Sequence, residues 1–249
     1  MKDKIALVVV ASQKEETPEK MAQIKAQYAD VDSSIDVMII TNDAITGGIC
    51  KKYNHAIETA LKTHNGENEW IVFSHNDAVL KSPIHFVEDV LTKMRTEKNA
   101  GIIGVAGTKK VPPVAPGFWW NGIGKPGFEG VGFAEHAVNN EKSQSFMSTY
   151  GPFPDRVAAI DGVWFAVNLK ILADNQGLRF DEETLEGMYH YYDADFCATA
   201  RSLGIQMWVG GIHVIHASPG ASMGQQSFVL AQSKFVQKWF KKQAQYNNF

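Results

Sequence analysis

Trp70-Ile71-Val72-Phe73-Ser74-His75-Asn76-Asp77 is the stretch that decides the fold. Its first four residues are apolar, rich in β-branched and aromatic types, and short enough as a run for a buried strand. A hydroxyl, an imidazole, an amide and a carboxylate follow without a spacer. In an open α/β sheet, ligands bind beyond the carboxyl ends of the strands, where this polar cluster falls. An acid there can hold a metal ion at the rim of a cleft, or it can cap an Asx-type turn.

Outward from this strand, apolar runs and helical patterns alternate. Ile5–Ala11 reads as a strand covered on both faces. Thr17-Pro18-Glu19 supplies a cap, a proline at the first helical position and an early acid, so a helix to about Tyr28 is predicted. Ile35–Thr41 is a further strand. Gly47-Gly48 opens a helix whose stripe is Ile49, Tyr53, Ala56, Ile57, Ala60 and Leu61. A helix start of this kind suits phosphate, and Lys51, Lys52 and Asn54 lie in its first two turns. The lysines equally fit a solvated face, whereas Asn54, a weak helix former, calls for a specific partner. After the central strand, Pro83 starts a helix to about Thr96. Gly101–Gly107 is another buried strand, its glycines inside the strand and not at a dinucleotide-binding turn. The alternation predicts an α/β fold with an open, mostly parallel sheet flanked by helices.

The second half is less regular. Thr108–Arg156 holds most of the prolines and reads as a long loop or lid. Trp119 and Trp120 within it can stack on sugar faces or pin the loop to the body. Val157–Val167 returns to strand character but contains Asp161-Gly162, and an acid in an apolar run is costly to bury without a partner. Asp193 and Asp195 sit at a helix start about 200° apart, so at most one of them can serve a site. His213 and His216 face opposite ways on a strand, so one can be a ligand and the other structural. The C-terminal segment forms an amphipathic helix, with Phe228, Ala231, Phe235, Val236, Trp239 and Phe240 opposite Lys234, Lys238, Lys241 and Lys242. It can pack on its own domain or lie on a membrane surface.

At 249 residues, the chain has room for one sizeable α/β domain. Its net charge of −3 gives no reason to expect nucleic acid as a partner. Cys50 and Cys197 have no metal-ligand spacing and read as free thiols, which points to a cytoplasmic setting. No run approaches the roughly 18 apolar residues of a membrane span. There is no P-loop, no nucleophile elbow and no H-E-x-x-H. Acids and a histidine gathered from several strand ends point instead to metal-assisted chemistry on a phosphorylated ligand.

Six motifs in order then resemble the family 2 type of GT-A fold glycosyltransferases, closest to the branch named after a streptomycin-biosynthesis protein. They are Ile49–Ile57, Phe73–Asp77, Ile160–Phe165, Phe180–Glu182, Tyr192–Cys197 and His213–His216. The resemblance implies a single domain over 1–249. Within it, 1–107 would be the nucleotide-sugar-binding half, 108–156 a loop or lid, 157–220 the acceptor half and 221–249 the C-terminal helix. It implies a hexosyltransferase-like enzyme moving a sugar from a nucleotide-sugar donor, UDP-sugar favoured, to a glycan or other hydroxyl acceptor with inversion. Asn54, Lys52, His75, Asn76 and Asp77 would bind the donor. Asp77 and His216 would hold Mn²⁺ or Mg²⁺. Asp193 would be the catalytic base, and Asp161, Trp119, Trp120 and Asp195 would face the acceptor. One departure stands out: His75 replaces the first acid of the family's D-x-D motif, and an imidazole prefers borderline ions and carries no charge to offset a hard dication. The alternative is a carbohydrate- or nucleotide-binding module of the same fold without catalysis. A phosphohydrolase is a weaker third reading, because a two-metal site needs more bridging acids.

Overall fold

The computed structural model describes residues 2–13, 15–29, 35–64, 66–111, 119, 129–138, 141–217 and 225–240. Strands and helices alternate first: β1 (Lys4–Ala11), α1 (Pro18–Ala26), β2 (Asp36–Ile40), α2 (Ile49–Thr63) and β3 (Glu69–His75). Next come β4 (Ala78–Leu80), α3 (Ile84–Lys98), β5 (Ile102–Gly104) and β6 (Ala106–Thr108). The later part holds β7 (Gly130–Val138), β8 (Glu141–Gly151), β9 (Asp155–Val157), β10 (Ala159–Ile160), β11 (Trp164–Asn168) and α4 (Leu169–Asp174). It closes with α5 (Tyr192–Ser202), β12 (Met207–Val209), β13 (Val214–His216) and α6 (Gln226–Phe240).

The predicted start signals act as read. Thr17 caps α1 by accepting from the Lys20 amide at 3.2 Å, with Pro18 at the first helical position. Gly48 precedes α2, whose stripe of Ile49, Tyr53, Ala56, Ile57 and Ala60 is buried. Along the central strands the side chains alternate between two apolar layers, as a period of two requires. Ile71 and Phe73 of β3 and Phe165 and Val167 of β11 face one layer, together with α2 and α5. Trp70, Val72, Trp164 and Ala166 face the other, which α1 and α3 cover.

The main sheet has the order β2-β1-β3-β11-β5-β12-β9. Its pairing is mixed, which corrects the expectation of a mostly parallel sheet. β1 runs parallel to β2 and β3, and β12 parallel to β5. However, β11 is antiparallel to both β3 and β5, and β9 is antiparallel to β12. The cause is the approach to β11: the chain enters it from the short strand β10 through Asp161-Gly162-Val163, at the end where β3 leaves. That turn therefore sits beside His75, whose amide donates to the Val163 carbonyl at 3.0 Å.

A second sheet, β10-β6-β7-β13-β4 with β8 on β7, is the larger correction. It occupies much of the segment predicted as a loop. β7 hid because Gly130, Gly132 and Ala134 give a weak strand signal, and β8 because it is mostly polar. The glycines are there for close backbone approach. Gly132 has φ +82°, and a Cβ on it would lie 2.3 Å from the Val105 carbonyl oxygen. This sheet brings β13 beside β4, pairing His216 with Ala78, and the Ala217 amide donates to the Asp77 carbonyl at 2.9 Å.

Candidate active site

Two sheets thus deliver three side chains of types that can ligate a metal to one point: His75 from the end of β3, Asp77 from the β3–β4 turn and His216 from the end of β13. His75 Nδ1 lies 3.4 Å from His216 Nε2 and 3.8 Å from Asp77 Oδ1. Asp77 Oδ1 and His216 Nε2 are 3.4 Å apart. Among the described residues, this is a group whose ligand atoms, all within 4.8 Å of one another, could hold a metal ion. Burial alone would raise the Asp77 carboxyl, but the His216 hydrogen bond and the nearby imidazole charges bring it down to about 2, so it stays ionised. Burial and the neighbouring His216 push His75 down to about 4, so it is neutral at pH 7. Against the lowering effect of burial, Asp77 raises the His216 imidazole, so a cation binding here would displace a proton from His216. Ionised Asp77 and neutral His75 are donor types suited to a divalent cation.

The turn before β11 adds the second half of the site. Asp161 Oδ1 accepts from the Val163 amide at 2.9 Å, closing a local turn, and its charge reaches Asp193, His75 and His216. Asp193, in the first turn of α5, accepts from the Gly162 amide on Oδ2 at 3.0 Å and from the Ala194 amide on Oδ1 at 2.8 Å. Burial, reinforced by the Asp161 charge, raises its carboxyl to about 6. A carboxylate tuned this close to neutrality is suited to take a proton. Tyr192 bridges the halves: its hydroxyl is 2.7 Å from His75 Nε2 and 3.0 Å from the Gly162 carbonyl oxygen.

A profile described as a glycosyltransferase-like family matches residues 6–243. The chain belongs to this family. Among solved structures, one similar to it is the mannosyltransferase PcManGT from Pyrobaculum calidifontis in complex with GDP-Man and Mn²⁺. The two share 13% identity with a TM-score of 0.49, over 98% of this chain and 65% of that one. The chain therefore spans somewhat under two thirds of that protein's length. A CMP:2-keto-3-deoxy-manno-octonic acid synthetase complexed with CTP aligns over 96% of this chain and 100% of that one, at 11% identity and a TM-score of 0.41. No curated protein matches.

This glycosyltransferase-like chain places its other expected site residues differently from one another. The Lys52 ammonium is fully buried and donates to the Ser12 carbonyl, to Asn42 Oδ1 at 2.7 Å and to the Tyr189 hydroxyl at 2.6 Å. Those three bonds use all its protons and tie together the ends of β1 and β2. Asn54 is likewise engaged. Its Nδ2 donates to the Phe180 carbonyl and to Glu182, both at 2.8 Å, and its Oδ1 accepts from the Phe180 amide at 3.0 Å. This is the specific partner that its helix position calls for. Asn76 donates to Glu16 at 2.6 Å and to Ser12 Oγ at 3.3 Å.

Trp119 is buried, 4% exposed, and meets Tyr150 edge-on at 5.1 Å between ring centres. Of the two roles open to it, pinning its segment to the body is the one this position suits. Trp120 lies outside the described residues. Asp195 points away from Asp193, as their helical separation requires. It is 1% exposed, accepts from Lys238 at 2.7 and 2.8 Å, and accepts from Trp239 Nε1 at 2.7 Å. Lys238 thus turns inward to the acids, off the solvated face assigned to it; Lys241 and Lys242 lie outside the described residues. His213 lies outside the three-residue cluster and is 2.6 Å from Glu135 Oε2, which suits the structural member of the pair. The reading missed His75 as a metal-ligand candidate and Tyr192 altogether. For His75 a signal existed, a strand-end histidine two residues before an acid. For Tyr192 there was none, since it looks like one more aromatic in an aromatic run.

Proposed function

We propose that this chain transfers a sugar, UDP-sugar being the favoured donor, to a hydroxyl of a glycan or similar acceptor, with inversion at the sugar carbon. The observation that carries this is the physical joining of the His75–Asp77–His216 cluster to Asp161 and Asp193 through Gly162 and Tyr192. One group of side chains suits the charge of a diphosphate–metal complex; the other, beside it, suits a hydroxyl that must lose a proton. His75, Asp77 and His216 would hold the ion, and two imidazoles beside one carboxylate favour Mn²⁺ over the harder Mg²⁺. When bound, such an ion offsets the negative charge that grows on the leaving nucleoside diphosphate. Asp193 takes the proton of the acceptor hydroxyl on its carboxylate, and Asp161 lines the acceptor side. Lys52, Asn54 and Asn76 keep the donor-side walls in place through the bonds described above. In this reading residues 1–107 hold the donor, 157–220 the acceptor, and the enzyme works in the cytoplasm.

The experiment is to incubate the protein with a panel of nucleotide sugars, with Mn²⁺ or with EDTA, and measure the released nucleoside diphosphate. Release with at least one donor, lost in EDTA and in Asp77→Asn, is expected. The binding-module reading predicts saturable donor binding with no release from any donor, and that outcome would overturn the proposal. Calorimetry should show Asp77→Asn losing most Mn²⁺ affinity while its thermal unfolding stays near wild type, since one of only three candidate ligands is removed.

A further inference from the structure

The Tyr192 hydroxyl bears on which nitrogen of His75 carries the proton. A phenol has one hydrogen to donate, and a carbonyl oxygen can only accept. Tyr192 sits 3.0 Å from the Gly162 carbonyl oxygen, so its proton goes there. With that proton taken, the contact of 2.7 Å with His75 Nε2 is completed by the tautomer in which Nε2–H donates to the phenol oxygen. That tautomer leaves the His75 lone pair on Nδ1. Nδ1 is the nitrogen that faces Asp77 and His216, at 3.8 and 3.4 Å. In the opposite tautomer, a hydrogen on Nδ1 would point at Asp77 and occupy the place of a cation.

Several features hold the hydroxyl in this position. Tyr192 is 4% exposed and packs edge-on against Tyr53, with ring centres 5.7 Å apart. The residue before it, Tyr191, adopts φ +65°, a left-handed conformation uncommon for a bulky side chain. Gly162 gives its carbonyl to Tyr192 and its amide to Asp193, and a Cβ on it would lie 2.3 Å from the Tyr192 hydroxyl and 3.0 Å from Asp193 Oδ2.

We propose that Tyr192 is a positioning residue that holds His75 in the tautomer able to ligate a cation and, through Gly162, fixes the distance from that ligand to Asp193. This rests on the metal reading given above. Ligating histidines are oriented by what their other nitrogen bonds to, and loss of such a partner typically costs 10–100-fold in metal affinity. Two measurements test it. In metal-free wild-type protein, long-range ¹⁵N NMR should show His75 with its proton on Nε2; a proton on Nδ1 would overturn the proposal without any variant. Calorimetry with Mn²⁺ alone should then show Tyr192→Phe binding roughly 10–100-fold more weakly than wild type, with its His75 resonances moved toward the Nδ1–H form. Wild-type affinity in Tyr192→Phe, alongside lost affinity in Asp77→Asn, would sink the Tyr192 assignment while leaving the metal site standing. Wild-type affinity in Asp77→Asn would instead remove the metal site itself.

Discussion

At the scale of single residues, the raised carboxyl of Asp193 has a pH signature. A general base works ionised, so transfer should rise about tenfold per pH unit up to roughly pH 6 and level off above it. The same shift works against the fold. A carboxyl held above its unfolded value favours the folded chain at low pH, and that contribution is lost as pH rises through about 6. Asp193→Asn should keep donor binding, lose roughly 10²–10⁴-fold in transfer and lose the acid limb of the profile. A variant that transfers at the wild-type rate, with Asp161→Asn inactive, would move the base to Asp161. Gly162→Ala is the companion test, because its methyl would push into both Tyr192 and Asp193. It should cost about 1–3 kcal/mol in urea unfolding and slow transfer as well. An active Gly162→Ala of normal stability would mean the turn is looser than the contacts imply.

Among the elements, α5 and α6 are tied by charge as well as by apolar packing. Lys238 donates to Asp181 at 2.7 Å as well as to Asp195, and these acids raise its pKa against the lowering effect of burial. Removing the ammonium leaves Asp195 charged in a buried site, so Lys238→Met should cost about 3–5 kcal/mol in urea unfolding, and Lys238→Met with Asp195→Leu should recover part of it. A single variant within 1 kcal/mol of wild type would show the pair to be incidental. The contrast with the sequence reading is instructive here. Elements with strong local signals were legible: β1, β3, α2 and the capped start of α1 follow from apolar runs, stripes and caps. The β7–β8 hairpin was not, because its glycines answer to a backbone on another strand, which no local pattern reveals. The candidate site was legible where an acid sits at the end of a strand, as at Asp77 and Asp161. It was illegible where a partner comes from far along the chain: Tyr192 for His75 is 117 residues away and Lys238 for Asp195 is 43.

Taken whole, the molecule does not divide where its sequence would divide. β11 from the second half lies between β3 and β5 of the first, and both apolar layers contain residues from both halves. Urea unfolding should therefore be one transition, with tryptophan fluorescence and far-UV circular dichroism coinciding. A resolved early step would show the halves to be separate cooperative units. The interleaving also sets a timetable for the ribosome. After β6 is made, about 60 further residues must be translated before β11 is complete, roughly 3–12 s at about 5–20 residues per second. Throughout that interval the nascent chain presents the bare edges of β3 and β5, hydrophobic strands that can pair with a neighbouring polypeptide. Rare codons placed between Thr108 and Trp164 should lower soluble yield in translation, whereas the same codons after Phe240 should leave it unchanged.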